Sequence, residues 1–221
     1  EFMKFEMERD YSETLLLIRC CNNDLEGAKE AARLFCKNYE VPSRLENSIK
    51  DRKRVFSTLT NQGADVILVD EVHNMQEAMD LILLSSGGTT VFLKMISPSL
   101  THAIEKIINF FPTELQDNAR ALIAGALEGG FSQVLCRHTD KKSLIPAMEI
   151  YKATNNMRTL LKENKMNQFY QIMGGSGREA GMTNQDASLK ALAKQNAITK
   201  EEAMLRTCRP EELKKLFAST Y

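Results

Sequence analysis

Apolar and polar positions along this chain switch between two periods, and the switches mark its elements. "ETLLLIRC" (Glu13 to Cys20) is a short apolar run that predicts a buried strand. In "NNDLEGAKEAARLFCKNY", Leu25, Ala28, Ala32 and Phe35 recur at helical spacing, and Asn23 with Glu26 three residues later forms a capping-box pattern. Pro42 opens a second, highly charged helix to about Thr60. "DVILVDEVHN" (Asp65 to Asn74) then runs four apolar residues, Val66 to Val69, into Asp70 and Glu71. A buried parallel strand ends this way at a nucleotide site, leaving a carboxylate at its tip.

The pattern continues with a helix from about Asn74 to Leu84 and a glycine turn leading into the β-branched strand "GGTTVFLKMI" (Gly87 to Ile96). Pro98 opens a helix whose apolar residues are Leu100, Ile104, Ile107 and Ile108, and Pro112 opens another to about Glu128. "FSQVLCR" and "SLIPAMEIY" read as strands joined by the polar turn "HTDKK". After Ala153 the tail is helical, in four short pieces, broken by "GGSGREAG" (Gly174 to Gly181), which reads as a flexible linker. Strands and helices alternating first, then helices alone, predict an α/β domain over residues 3–153 and a C-terminal helical subdomain over 154–221.

Composition narrows the function classes. Positive and negative charges balance at 29 each, so nothing favours nucleic acid as a bulk polyanionic partner. "KDRKR" (Lys50 to Arg54) reads as the solvated face of a helix. Cys20, Cys21, Cys36, Cys136 and Cys208 show no CxxC pair, which fits a reducing cytoplasm rather than a disulfide framework. No apolar run approaches the roughly 20 residues that span a bilayer. His73, His102 and His138 lack metal-ligand spacing, so no metal is expected. Met157, Met166 and Met173 read as adaptable core or partner surface. Glu1 and Phe2 ahead of Met3 read as a cloning remnant.

From Asp65 onward the sequence resembles the type IV pilus retraction and type II secretion ATPases, the PilT-like branch of RecA-type motors. "DVILVDEVHNMQEAMDLILLSSGGTTVF" is similar to their Walker B strand, the helix after it and the next strand. "AIEKIINFFPTELQDNARALIAGALEGGFSQVL" resembles their "TIDRIIDVFP" segment and "ISQ" strand, and "GMTNQDASLKALAKQNAITKEEAM" resembles "GMQTLDQSLAELVKRGLISREEAL". The resemblance implies a RecA-like, P-loop NTPase-type sheet flanked by helices. It also implies hexamers held by an N-terminal PAS-like domain. With only about a dozen residues ahead of the first strand, a monomer or weak oligomer is the expectation here.

Aligned on that family, scaffold positions persist and phosphate-facing positions do not. A Walker A loop needs glycines so that backbone N–H groups can wrap phosphates, a lysine for the β/γ-phosphates and a hydroxyl for magnesium. The strand "TLLLI" stands in the right place, but the loop after it reads "RCCNNDLEG", with Leu25 and Glu26 where the lysine and Ser/Thr fall. Asn23, Asp24 and Glu26 sit where a helix N-terminus would receive phosphate and place two negative charges there. Glu71 matches the catalytic glutamate, Asp70 replaces the neighbouring glycine, and His73-Asn74 replaces an Arg-Asp pair. The histidine motif aligns with "KMIS" (Lys94 to Ser97), its histidine falling at Ile96; another falls at Met148, while Gln133, Glu149 and Ile150 are retained.

The expected function is therefore that of a degenerate homologue of a pilus retraction or secretion motor ATPase. It would act as a structural or regulatory protein partner, with a motor ATPase as its own partner, at most peripheral to membrane machinery. Glu71 is the vestigial catalytic candidate; no nucleotide-binding residue and no cofactor is expected. The alternative is a divergent active ATPase of the same family with Glu71 as its catalytic carboxylate. A third reading is an interaction module that only reuses the scaffold.

Overall fold

The computed structural model of the chain describes the backbone of residues 13–18 and of Asp70, and residues 66–140 and 142–218 otherwise in full. The expected helices at 23–60, with Asn23, Asp24, Glu26 and the basic run at 50–54, lie outside the described residues. Among the described residues, five strands form one sheet: β1 (Glu13–Ile18), β2 (Val66–Asp70), β3 (Thr90–Ile96), β4 (Leu127–Arg137) and β5 (Leu144–Lys152), in the order β2-β3-β1-β4-β5. Only β2 and β3, among the described residues, pair in parallel, Val66 opposite Thr90 through Asp70 opposite Lys94. β1 is antiparallel to both its neighbours, with Glu13 opposite Ile96 and Gln133, and Ile18 opposite Val91 and Leu127.

Three helices among the described residues connect these strands. Helix α1 (Met75–Ser86) links β2 to β3, as a parallel crossover requires. Helix α2 (Leu100–Ile108) begins two residues after the Pro98 start the sequence suggests and is capped by Ser99, whose hydroxyl accepts from the His102 N–H. After a 3-10 turn at Thr113–Leu115, helix α3 (Gln116–Ala126) stops early, because Leu127 and Glu128 already belong to β4. Leu81, Leu93, Ile104, Ile123 and Leu127 meet in the main core, all almost wholly buried.

Beyond β5 the described chain forms five helices where the pattern suggests four: α4 (Asn155–Lys162), α5 (Met166–Gly174), α6 (Gln185–Lys194), α7 (Lys200–Arg206) and α8 (Pro210–Ala218). Met157, Met166 and Met173 are buried in the same core as the sheet, so their core reading holds. A second cluster joins Val134, Cys136 and Ala147 of the β4–β5 hairpin to Leu189, Ile198, Ala203 and Leu213.

The stretch 174–181 is not the linker its composition suggests. It is a 3-10 turn, Ser176–Ala180, closed by Gly181 at φ 82°, and Gly177 within it is buried. A Cβ on Gly174 would stand 2.2 Å from Asn184 Nδ2. That side chain accepts from the Ala187 N–H at 2.9 Å, capping α6, and donates to the Tyr170 carbonyl at 3.0 Å. Gly174→Ala is therefore expected to cost about 2 kcal/mol in urea unfolding, the combined worth of a cap and a buried hydrogen bond. Gly125→Ala, in helix α3 with open space around it, should instead gain about 0.5–1 kcal/mol.

Candidate functional site at the strand tips

The sheet brings the C-terminal ends of β2 and β3 to one edge, and the expected site residues gather there. Glu71 follows β2 directly. Its N–H donates to the Lys94 carbonyl at 2.9 Å, which carries the ladder one residue past the strand. Its backbone lies at φ 60°, a left-handed conformation that costs a non-glycine residue about 1–2 kcal/mol. The next residue, Val72, is wholly buried and anchors that turn.

The Glu71 carboxylate is not presented to open solvent as a lone base. Its Oε1 accepts from Lys106 Nζ at 2.5 Å, an ion pair reaching from β2 to the last turn of α2. The pair is part-exposed, 20% for the Glu71 side chain and 41% for Lys106, so its worth to stability is under about 1 kcal/mol. Its chemical effect is larger. The ammonium occupies one acceptor site on Oε1 and favours the ionised carboxylate, which makes Glu71 a weaker proton acceptor than a lone carboxylate.

The two residues aligned with the family's Arg-Asp pair serve a helix start. Asn74 caps α1, its Oδ1 accepting from the Glu77 N–H at 3.0 Å. Glu77 reaches back, taking the Asn74 side-chain N–H at 3.1 Å on Oε1 and the His73 backbone N–H at 3.1 Å on Oε2. This resembles a capping box, except that Glu77 takes the backbone N–H of the residue before the cap, and the His73 ring is exposed beside it. His73 thus precedes the helix rather than lying on it.

Ile96, at the histidine motif's position, is 46% exposed at the tip of β3 and offers no polar atom there. Met148 pairs with Gln133 across β4 and β5, and Glu149 with Ser132. His102 lies on α2 with Nδ1 2.6 Å from the Ser99 hydroxyl, and His138 Nδ1 lies 3.3 Å from Asp140. Among the described residues, no three His, Cys, Asp or Glu side chains are grouped to hold a metal ion. No helix among them is long and apolar enough to cross a membrane.

The direction of β1 changes the expected geometry. β1 begins, at Glu13, on the edge that carries Glu71 and Ile96, and ends, at Ile18, on the opposite edge. The loop after Ile18, where a Walker A sequence would stand, thus departs roughly 17 Å away along the strand. Residues 19–65 lie outside the described residues, but their point of departure is not beside Glu71.

Three residues that the sequence did not single out as site residues prove structurally prominent. Lys106 carried no signal beyond its place on an amphipathic helix. Glu149 and Asp186 are each 1% exposed. For Glu149 a signal exists: it alternates with Ala147 and Tyr151, and all three face inward.

No protein-family model matches the chain. It is 26% identical over 158 residues to a twitching motility protein of Neisseria gonorrhoeae, covering 72% of this chain and 42% of that one. It is 27% identical over 150 residues to the type IV pilus retraction ATPase PilT of Pseudomonas aeruginosa, covering 68% and 43%. The chain thus spans less than half the length of these relatives. Among solved structures, the pilus retraction motor PilT with bound ADP aligns at a TM-score of 0.66 and 26% identity, covering 74% of this chain and 46% of that one. The ATPase DotB of Yersinia pseudotuberculosis aligns at 0.58 and 17% identity over 69% and 39%, a likeness of fold alone. The sequence matches and the likeness to the solved structures agree: the chain is a relative of the PilT-like secretion ATPases, with their RecA-like fold.

Proposed function

We propose that this chain is a non-catalytic relative of pilus retraction and secretion ATPases, acting in the cytoplasm as a structural or regulatory partner of a pilus or secretion motor. The observation that carries the reading is the Glu71–Lys106 ion pair: the one retained catalytic-type carboxylate is engaged by a cation of the protein's own. The loss of lysine, hydroxyl and histidine at the phosphate-facing positions supports it, as does the exit of β1 on the far edge. The helices of the C-terminal half, retained in sequence, supply the surface by which it docks, and by itself the chain is a monomer or weak oligomer. The proposed division into residues 3–153 and 154–221 assigns that docking to the second part.

Calorimetric titration of ATP with magnesium tests the catalytic side. The expected result is no heat and no thermal shift at millimolar ATP, in the native chain and in Lys106→Met, where Glu71 is released. Micromolar binding lost on Glu71→Gln would favour the divergent ATPase instead. Co-purification with a defined pilus motor ATPase tests the partner.

A further inference from the structure

Several elements converge on two carboxylates that the strand-tip reading leaves unused. Glu149 lies on β5 and Asp186 in the first turn of α6. Glu149 Oε2 accepts from the Leu100 N–H at 2.6 Å, at the start of α2, while Oε1 has no hydrogen-bond partner among the described residues. Asp186 Oδ1 accepts from the Thr207 hydroxyl at 2.6 Å, while Oδ2 likewise has none. The Asp186 N–H donates to the Tyr170 hydroxyl at 3.2 Å.

The adjoining Gln185 ties the same place to the chain after α7. Its Nε2 donates to the Pro98 carbonyl at 3.1 Å, and its Oε1 accepts from the Cys208 N–H at 3.3 Å. Arg209 stacks over the Tyr170 ring at 4.0 Å, donates to Asn167 Oδ1 at 3.3 Å and lies 3.6 Å from the Glu212 carboxylate. The segment 207–209 therefore packs against Asp186, Gln185 and Tyr170, with the buried Glu149 near enough for its charge to be felt at Cys208 and Asp186.

We propose that Glu149 and Asp186 form a proton-held latch: protonated, the pair keeps the segment from Thr207 to the end of α8 docked on the sheet, and ionised, it releases that segment. The reason is the two orphan oxygens. A carboxyl group can leave one oxygen unpaired in the interior, whereas a carboxylate pays for its missing solvation there.

The groups facing the pair are Tyr170 from α5, Cys208 and Arg209 from the α7–α8 link, and Glu212 from α8. Burial pushes Glu149 up to about 7, against the pull of the Leu100 N–H and Arg209, with Asp186 raising it further. Burial also raises Asp186, opposed by Thr207, Tyr170 and Arg209 and helped by Glu212. In the released state both groups regain ordinary carboxyl values. Each unit of pH between about 4.5 and 7 then makes release roughly tenfold more populated through Glu149 alone, and the dependence flattens above 7.

Amide hydrogen exchange on the whole chain, corrected for intrinsic rates between pH 5.5 and 8.5, tests this. Protection over residues 207–217 is expected to fall about tenfold per unit up to pH 7 and then level off, while α1 shows no such trend. Glu149→Gln keeps an oxygen for the Leu100 N–H but cannot ionise, and should flatten the profile; Asp186→Asn should reduce its slope. The latch is overturned by a flat profile in the native chain, by an equal slope in α1, or by a native slope that survives in both variants.

Discussion

Phe169→Ala is expected to lower stability by about 3–5 kcal/mol, the range for removing a fully buried phenylalanine, and to lower Tm by roughly 10 °C. Phe169 is wholly buried on α5, and its ring lies 5.1 Å from that of Tyr151 on β5. Both belong to the core that also holds Leu93, Ile104 and Leu161. The loss should therefore appear as one cooperative transition, followed alike by far-ultraviolet circular dichroism and by tyrosine fluorescence. A helical part that folded independently would show instead a first transition confined to the helical signal, with the sheet melting at its native temperature.

The second large effect concerns pH. Glu149, raised to about 7 in the folded chain against an ordinary value near 4.5, binds a proton that the unfolded chain has released. Stability from this group is fully present below about 4.5 and is lost as pH rises through 7. The loss totals roughly 3 kcal/mol at 1.36 kcal/mol per unit. Acids such as Glu202, which Arg137 and Arg206 hold below their usual value, act with the opposite sign at lower pH. The difference between the native chain and Glu149→Gln isolates the effect. Urea unfolding at pH 5 and pH 8 should show the variant gaining on the native chain by about 2.5 kcal/mol across that interval. A constant difference would mean that Glu149 stays ionised in the folded state.

Much of the fold was legible because helix periodicity and strand runs are local. The Val66–Val69 run, the Leu100–Ile108 stripe and the two strands on either side of the polar turn that starts at His138 stand where the pattern places them. The direction of β1 was not legible: "TLLLI" reads the same to a parallel neighbour as to an antiparallel one, and only pairing with β3 and β4 decides it. The turn at 174–181 misled because glycine serves two purposes. In a linker it supplies freedom, whereas Gly177 makes room, since a Cβ there would meet the Ile172 carbonyl at 2.7 Å. The strand-tip glutamate could be found from its place after an apolar run. Its lysine could not, because 35 residues separate them and nothing local in the sequence links the two.

The central antiparallel strand also has a consequence for how the chain is made. β1 leaves the ribosome before either of its neighbours exists, and its second pairing is complete only once Gln133 has emerged. At roughly 5–20 residues per second, the apolar stretch "TLLLI" waits on the order of ten seconds with its backbone edges unsatisfied. During synthesis that strand is where chaperones would bind, and where newly made copies would stick to one another if none did.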